Sequence, residues 1–282
     1  MILFKQTDRF QAHLQHERAN GKKIGFVPTM GALHNGHISL ITASKKENQL
    51  TAASIFVNPA QFNDKRDFEK YPVTVEKDIE LLISAGCDVL FLPPAEEVYP
   101  EGYNQPAQYD LGHLETILEG KYRLGHFQGV CKVMDRLLHI VQPDNLYMGQ
   151  KDYQQCMVVD RLLAIMESPA TLHTCPTLRE ADGLAMSSRN TRLSAEERTK
   201  AVAISLALNH IKTTIKQGSL TTIIDDSIAF LMASNFKIDY VAIADARTLA
   251  AVTEWNGTQK IVALIAAFQN EVRLIDNMLL NS

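Results

Sequence analysis

Cysteine is scarce in this sequence: four residues, Cys87, Cys131, Cys156 and Cys175, are scattered over 282 positions without a C-x-x-C pair. Such spacing resembles neither a disulfide framework nor a zinc site, and it fits a reducing compartment. Long hydrophobic runs are also missing, since the most apolar stretch, 261–268, is too short to span a bilayer. The N-terminus lacks the basic and apolar regions of a signal peptide. We therefore expect a cytoplasmic protein without a membrane partner.

An excess of positive charge is missing as well, because 28 Lys and Arg residues stand against 32 Asp and Glu residues. The formal net charge of −4 provides no general attraction to nucleic acid, so we expect no nucleic-acid partner, although a local basic groove remains compatible with it. The chain also lacks a P-loop, a G-x-G-x-x-G fingerprint and a Ser-His-Asp arrangement. Its 46% hydrophobic and 21% charged residues are typical of a globular protein with a proper core.

The first 176 residues alternate between short apolar segments and longer amphipathic ones. This repeated strand–helix–strand order predicts a parallel sheet with right-handed crossovers, in a Rossmann-like α/β domain with helices on both faces. Residues 95–112 are rich in Pro, Gly and Tyr and are predicted to form an excursion with one short strand. The predicted strands are 23–28, 50–57, 88–93, 144–149 and 171–175, and the predicted helices are 9–19, 37–48, 74–85, 114–119, 128–141 and 152–167.

The pattern changes after Pro176, where a polar segment leads to a capping box at Ser194 that opens a long predicted helix to about residue 216. A helix pair followed by an antiparallel sheet predicts a smaller α+β domain. We therefore expect two domains, 1–176 and 177–282. The second predicted helix is 221–234, and the predicted strands are 238–244, 260–268 and 271–275, the last two joined in a hairpin at Gln269-Asn270.

Two glycines and two histidines follow the first predicted strand, in the stretch Met30-Gly-Ala-Leu-His-Asn-Gly-His37. A strand that ends in such a turn and feeds a helix directs backbone N–H groups at an anionic ligand. His34 and His37 add donors or positive charge where phosphates lie, and Gly36 allows a flat ligand to approach the backbone. The stretch therefore predicts nucleotide binding. The alternatives are an incidental pair of surface histidines or a metal site, for which the local sequence supplies no further ligands.

A second candidate segment, Gly149-Gln-Lys-Asp152, follows the predicted strand 144–149 and so belongs at the same carboxyl edge of the sheet. There Lys151 can cancel negative charge that develops on phosphoryl oxygens during substitution. Asp152 and Gln155 also have the spacing of a capping box, which leaves a structural role open for Gln155.

Other polar residues have two interpretations. The segment Met186-Ser-Ser-Arg189 can close over a triphosphate or be an ordinary serine-rich turn. Gln61 follows a predicted strand, where its amide can bind a carboxylate or a hydroxyl, and residues 179–182 can equally be a solvated charge run. His126 precedes a predicted helix and is left open. The remaining histidines inside predicted elements are interpreted as structural: His13, His16, His139, His173 and His210.

Five stretches follow one another along the chain: 27–37 (VPTMGALHNGH), 54–62 (SIFVNPAQF), 125–129 (GHFQG), 149–155 (GQKDYQQ) and 179–190 (READGLAMSSRN). Taken together and in this order, they resemble the pantothenate synthetase (pantoate–β-alanine ligase) family over essentially the whole chain. No single stretch is specific, but the ordered set is. The H-x-G-H and Met-Ser-Ser-Arg elements also resemble a broader superfamily of class I aminoacyl-tRNA synthetases and nucleotidylyltransferases.

The resemblance implies that ATP activates the carboxylate of pantoate as pantoyl adenylate with release of pyrophosphate, and that β-alanine then displaces AMP to give pantothenate. It makes 1–176 the nucleotide- and pantoate-binding domain and 177–282 a lid domain. Closure would keep water from the adenylate. Mg²⁺ would arrive with ATP, bound chiefly by phosphate oxygens rather than by protein ligands. The family also implies a homodimer.

The resemblance assigns roles to matching positions of this chain. Proton donation falls to His37, and Lys151 would steady the α-phosphate. The catalytic set would be His37, His34, Lys151, Ser187, Ser188 and Arg189. Pantoate would meet Gln61, Gln155, Pro28 and Met30, and Gln61 would also meet β-alanine. The ATP site would comprise Met30, Gly31, Ala32, Leu33, His34, Asn35, Gly36, His37, Gly149, Gln150, Lys151, Asp152, Leu178, Met186, Ser187, Ser188 and Arg189.

The chain departs from the family pattern at Ala60, Leu124, Met148 and Gln150, and the change at Met148 touches a wall expected near pantoate. The first alternative function is a nucleotidylyltransferase that acts on a phosphate ester. The second is a non-catalytic nucleotide-binding module, which would be expected to have lost residues such as Lys151. A tRNA synthetase is disfavoured by the small C-terminal part and the acidic balance.

Overall fold

The computed structural model describes residues 1–62, 65–102 and 108–281. These residues form two compact units: those within 1–150 and 154–176 form one, and those within 151–153 and 177–281 form the other. Within the described ranges, no helix has both the length and the apolar character needed to cross a membrane.

Residues 1–176 alternate strands and helices in the predicted manner. The elements are β1 (Ile2–Phe4), α1 (Thr7–Ala19), β2 (Ile24–Thr29), α2 (Asn35–Glu47), β3 (Leu50–Ile55), α3 (Lys65–Glu69), α4 (Val75–Ser84), β4 (Val89–Phe91), α5 (Ala95–Val98), α6 (Leu118–Tyr122), α7 (His126–Val141), β5 (Asn145–Gly149), α8 (Tyr153–Ile165) and β6 (Thr171–Cys175). Short 3-10 turns occur at Pro59–Gln61, Gly112–Glu115 and Gln150–Asp152.

The first unit is built on one sheet of six parallel strands, in the order β1-β4-β3-β2-β5-β6. Every residue of β3 is buried, so both faces of the sheet are covered there, as small and β-branched residues throughout a strand indicate. Helix α2 packs across β2, β3 and β5. A cluster of fully buried apolar side chains forms this part of the core, including Val27, Ile41, Ala53 and Leu90.

Four details of residues 1–176 differ from the sequence-based predictions, and the first is the short helix α3, which was not predicted. The edge strand β1 was not predicted, because three partly exposed residues show no periodicity and become a strand only by pairing with β4. The predicted helix 114–119 is two pieces, a 3-10 turn and α6. The described part of 95–112 contains α5 and a 3-10 turn but no strand, and residues 103–107 lie outside the described residues.

The second unit pairs helices with a three-stranded antiparallel sheet in the order β11-β10-β8. The predicted β10–β11 hairpin is present, but its turn is Asn270-Glu271 rather than Gln269-Asn270, because Gln269 pairs with Val272 inside the ladder. Asn270 has a φ of +50°. Buried Ile, Leu, Val and Ala side chains from α10, β8 and β10 form a separate core. The elements are α9 (Ala195–Ala201), α10 (Ala203–Thr214), β7 (Gly218–Ser219), α11 (Thr221–Ala233), β8 (Phe236–Asp245), β9 (Glu254–Trp255), β10 (Ile261–Gln269) and β11 (Val272–Leu279).

The capping box predicted at Ser194 is present: its side chain accepts a hydrogen bond from Glu197 N, and the Glu197 carboxylate accepts one from Ser194 N at 2.7 Å. The single helix predicted from it to about residue 216 is wrong, because the chain forms α9 and α10 with a break at Val202. The backbone of Val202 keeps helical angles, so the break is slight and leaves no signature in the residue pattern.

Candidate active site

The order of the parallel sheet reverses at β2, with β3 and β4 on one side of it and β5 and β6 on the other. Neighbouring strands at such a reversal leave a crevice at their carboxyl ends, where open α/β sheets bind their ligands. β2 runs into residues 30–37 and β5 runs into residues 149–152. Both predicted nucleotide-binding segments therefore begin at this position of the sheet.

The loop after β2 is held in shape by a buried carboxylate. Asp78 of α4 is 0% exposed and accepts hydrogen bonds from Ala32 N at 2.9 Å and Leu33 N at 2.8 Å. Gly31 has a φ of +80°, and a Cβ there would lie 3.1 Å from Asp78 Oδ2, so the turn requires glycine. Sequence reasoning missed Asp78. In the sequence it is one more acidic residue of the predicted helix 74–85, and only the fold shows that it is buried.

His34 and His37 cap the helix that follows this loop. His34 Nδ1 accepts from Gly36 N at 3.1 Å, His37 Nδ1 accepts from His34 N at 3.3 Å, and the ring centroids are 4.1 Å apart. A neutral imidazole whose Nδ1 accepts carries its proton on Nε2, so each ring has an Nε2–H donor. The helix N-terminus favours anions through its backbone N–H groups and dipole. The structural role of the two histidines is thus compatible with the predicted phosphate contact.

Gln61 lies in a 3-10 turn, Pro59–Gln61, just after β3. Its amide Nε2 contacts Met30 Sδ at 2.8 Å, so the structure brings two predicted pantoate-binding residues together. Asn58 fixes the turn, because its Nδ2 donates to Gln61 Oε1 at 3.1 Å and its Oδ1 accepts from Tyr99 Oη at 2.8 Å. The Gln61 amide is therefore oriented by buried neighbours.

The first residues of α7 pack against the 3-10 turn Pro59–Gln61. His126 is 4% exposed, and its Nδ1 lies 2.8 Å from the carbonyl oxygen of Gln61. Because a carbonyl only accepts, Nδ1 carries the proton and Nε2 accepts from Arg123 Nη1 at 3.0 Å. A Cβ at Gly129 would lie 2.0 Å from Ala60 O, so the helix approaches the turn closely. His126, which the sequence left open, thus positions Gln61.

Lys151 lies in the 3-10 turn between β5 and α8. Its Nζ is 3.6 Å from Asp152 Oδ1, and its side chain is only 16% exposed. Its carbonyl oxygen accepts from Asn277 Nδ2 at 2.8 Å. The lysine is therefore held both at its amine and at its backbone.

Of the two glutamines in the first turn of α8, Gln154 is the structural one. It is 2% exposed, accepts from Glu119 N at 3.0 Å and donates to Leu114 O at 2.8 Å. Gln155 is partly exposed, so its role in binding pantoate stays a prediction.

Residues 178–186 form a two-stranded turn that leads into the predicted closing segment. Met186 N donates to Leu178 O at 3.0 Å, and an antiparallel bridge joins Arg179 to Ala185. The Leu178 side chain is 40% exposed. The pairing joins residues 178–179 to residues 185–186, so the chain is ordered before it reaches the serines. The interpretation as an ordinary serine-rich turn does not predict this pairing.

Beyond Met186 the chain enters a 3-10 turn, Ser188–Arg192, with Ser187 as its N-cap. The Ser187 hydroxyl accepts from Arg189 N at 3.3 Å, and Ser188 is 8% exposed. Asn190 Nδ2 donates to Ala185 O at 3.0 Å and ties the turn to the preceding strand pair. The serines therefore belong to an ordered turn.

Arg179 excludes a simple solvated charge run over residues 179–182. Its guanidinium binds Asp276 in two places, Nη1 to Oδ2 at 2.6 Å and Nη2 to Oδ1 at 3.1 Å. Asp276 is 4% exposed; burial raises the pKa of its carboxyl group, and Arg179 opposes that rise. At the other end of the run, Asp182 is hydrogen-bonded to Arg198 at the surface, which lowers the pKa of Asp182.

A doubly wound parallel sheet whose reversal point carries a histidine-capped helix defines an α/β protein of the Rossmann-like class. A sequence profile described as Pantoate-beta-alanine ligase matches residues 2–279. The chain belongs to the pantoate–β-alanine ligase family, and it is accordingly an enzyme of the ligase class. The predicted fold class and family are confirmed.

Relatives of known name support the same family. The pantothenate synthetase of Cytophaga hutchinsonii is 45% identical over 99% of both chains, and that of Bacteroides fragilis is 44% identical over 95% of both. Among solved structures, pantothenate synthetase from Thermus thermophilus superposes with a TM-score of 0.92 at 40% identity over 100% of both chains. A pantoate–β-alanine ligase from Francisella tularensis, complexed with beta-gamma ATP and β-alanine, superposes with a TM-score of 0.84 at 36% identity, covering 100% of this chain and 98% of that one.

Proposed function

We propose that this chain joins pantoate to β-alanine in an ATP-dependent reaction that passes through pantoyl adenylate. A carboxylate oxygen of pantoate attacks the α-phosphorus of ATP, and the bond to pyrophosphate breaks. The amine of β-alanine then attacks the acyl carbon and loses a proton, and AMP leaves with the bridging oxygen. The family match over residues 2–279 and the relative complexed with beta-gamma ATP and β-alanine support the proposal.

The observation that carries the proposal is the construction of the loop after β2. Asp78 holds two consecutive backbone N–H groups and so sets the path of the chain into α2. His34 and His37 then cap α2 through Nδ1, which leaves Nε2–H as the donor of each ring. A turn fixed in this way is preorganised for phosphate oxygens and needs little rearrangement during the reaction.

We assign residue roles as follows. His37 takes the proton-donor role through its Nε2–H, which donates a hydrogen bond to a phosphate oxygen, and Lys151 neutralises charge at the α-phosphate. Gln61 and Gln155 bind the hydroxyl and carboxylate groups of pantoate. Residues 30–37 and 149–152 bind ATP, together with Leu178 and the segment Met186, Ser187, Ser188 and Arg189. Pro28 and Met30 line the pantoate side.

The proposal extends to cofactor and assembly. Mg²⁺ keeps several waters and uses few protein ligands, so we assign it to the phosphate oxygens of ATP. Among the residues that the structure describes, no three His, Cys, Asp or Glu side chains are grouped to hold a metal. We also propose a cytoplasmic homodimer in which residues 1–176 bind nucleotide and pantoate and residues 177–282 act as a lid. Light scattering of the purified protein tests the dimer: a monomer mass would contradict it.

Product analysis tests the reaction itself. We expect one AMP and one pantothenate per turnover, and AMP release that requires pantoate, β-alanine and ATP together. A nucleotidylyltransferase would instead transfer the nucleotide to a phosphate ester and release no free AMP. Folded protein that forms no pantothenate would refute the proposal.

Variants test the assigned roles. Lys151→Ala and His37→Ala should each lower the adenylation rate by about 10²–10³-fold, because each removes a group that stabilises charge in the transition state. Lys200→Ala, which removes a surface ion pair with Glu196, serves as the matched control and should leave the rate unchanged. Unchanged pyrophosphate release in Lys151→Ala or His37→Ala would refute the role of that residue.

A further inference from the structure

The strongest unassigned feature is a buried polar cluster in the second unit, made of Arg179, Asp276 and Asn277. Asp276 and Asn277 are adjacent on β11 and are 4% and 2% exposed. Arg179 is the second residue of the turn 178–186, and its side chain is partly buried. Buried polar side chains of this kind are costly unless their partners are complete, so the partners indicate what the cluster does.

One guanidinium joins two segments of the unit. Besides its two bonds to Asp276, Arg179 donates from Nη1 to Gly183 O at 3.1 Å and from Nη2 to Asn277 O at 3.3 Å. Gly183 lies at the tip of the turn that leads into the Ser187–Ser188 segment, and its φ is +93°. Arg179 therefore fixes that turn onto β11.

The next residue of the strand reaches the proposed catalytic lysine. Asn277 Nδ2 donates to Lys151 O at 2.8 Å, while Asn277 N donates to Asp276 Oδ1 at 2.8 Å. The Asp276 carboxylate therefore holds the backbone of Asn277, and the Asn277 amide in turn holds the backbone of Lys151, from which the lysine amine extends. The cluster ties Lys151 and the turn before Ser187 to the same two residues of one strand.

We propose that Arg179, Asp276 and Asn277 are positioning residues for pantoyl adenylate formation, which hold Lys151 in a fixed register with the turn leading to Ser187 and Ser188. This inference rests on the proposed function, because it requires Lys151 to act on the phosphate. None of the three residues touches substrate in this scheme. They act through the backbone of Lys151 and through the turn 178–186.

The test measures pantoate-dependent exchange of pyrophosphate into ATP, without β-alanine. Asn277→Ala should lower kcat for exchange by about 10- to 100-fold, because a displacement near 1 Å at the reacting group costs that much. The KM values for ATP and pantoate should stay within about twofold. Asn281→Ala is the matched control, since Asn281 Nδ2 also donates to a backbone carbonyl, Gln259 O, at 2.8 Å in the same unit. It should leave kcat unchanged.

A second variant covers the case in which Asn277→Ala does not fold. Arg179→Lys keeps the charge beside Asp276 but lacks the planar fork that reaches Gly183 O and Asn277 O, and it should lower kcat in the same way. Arg273→Lys is its control, because Arg273 lies on β11, the strand of Asp276, and its Nε donates to Asp239 Oδ2 at 2.8 Å. Equal kcat losses in Arg179→Lys and Arg273→Lys would overturn the proposal, because they would indicate a general structural effect.

The Lys151→Ala background separates positioning from general damage. If Asn277 acts through Lys151, adding Asn277→Ala to Lys151→Ala should change the residual exchange rate by less than about twofold. A second full drop would overturn the inference. No pantoate-dependent exchange by the unmodified chain would refute the proposed function instead, whereas exchange that needs Lys151 but not Asn277 would refute only the inference.

Discussion

Replacing Asp78 with asparagine removes the central support of the loop after β2. The carboxylate accepts from Ala32 N at one oxygen and from Leu33 N and Thr74 Oγ1 at the other, all within 3.0 Å. Asparagine keeps the shape but has one oxygen. When that oxygen faces Leu33 and Thr74, its amide nitrogen faces Ala32 N, donor against donor.

The cost follows from that geometry. A hydrogen bond to a charged group contributes about 1.5–3 kcal/mol, and an orphaned buried donor costs a similar amount, so Asp78→Asn should lower the free energy of unfolding by about 2–3 kcal/mol. The displaced loop should also raise the KM for ATP by about 10-fold.

Urea unfolding and the pyrophosphate-exchange assay measure the two effects of Asp78→Asn. Asp144→Asn is the control, because Asp144 Oδ2 also accepts from a backbone N–H, Ile24 N at 2.7 Å, but at the amino end of the sheet. It should leave the KM for ATP unchanged. An Asp78→Asn protein with unaltered stability and an unaltered KM for ATP would refute the argument that this carboxylate shapes the loop.

Two further variants test the packing of α7 against the turn of Gln61 and the loss of folding stability at low pH. Gly129→Ala should lower the free energy of unfolding by about 1–3 kcal/mol, because a Cβ 2.0 Å from Ala60 O outweighs the gain of about 1 kcal/mol in helix propensity. Gly149→Ala is the control and should not lower it, because a Cβ there meets nothing within 4 Å. Equal stabilities of the two variants in urea unfolding would contradict the close approach of α7 to the turn. Hydrogen bonds from Gln259, Thr248 N and Arg247 N lower the pKa of Asp245 from 3.8 to about 2. The folded-state pKa is depressed, so this contribution is present above about pH 4 and is lost as pH falls towards 2. The stability difference between the unmodified chain and Asp245→Asn should therefore narrow over that range, and a constant difference would be inconsistent with the shift.

Local sequence patterns predicted the alternation of strands and helices and the ends of several of these elements. The capping box at Ser194 needs only residues three apart, and the β10–β11 hairpin needs only a turn signal between apolar runs. By contrast, the edge strand Ile2–Phe4 depends on a partner near residue 90 and has no pattern of its own.

The residues that hold the candidate site in place could not be predicted from the sequence either, because their partners are distant in the chain. Asp78 bonds to residues 45 and 46 positions earlier, and His126 contacts Gln61 across 65 positions. Arg179 and Asp276 are 97 positions apart, and the arginine alone was compatible with a solvated charge run. Motifs identify groups that can meet a ligand, whereas the residues that hold those groups are defined only by the fold.

Pyrophosphate exchange is the most direct test of the central claim, that the chain activates a carboxylate as an acyl adenylate. Purified protein is incubated with ATP, labelled pyrophosphate and pantoate, without β-alanine. We predict that label enters ATP only when pantoate is present, and that Lys151→Ala lowers the exchange rate by about 10²–10³-fold. Folded protein that makes pantothenate but shows no exchange until β-alanine is added would contradict a separate adenylation step.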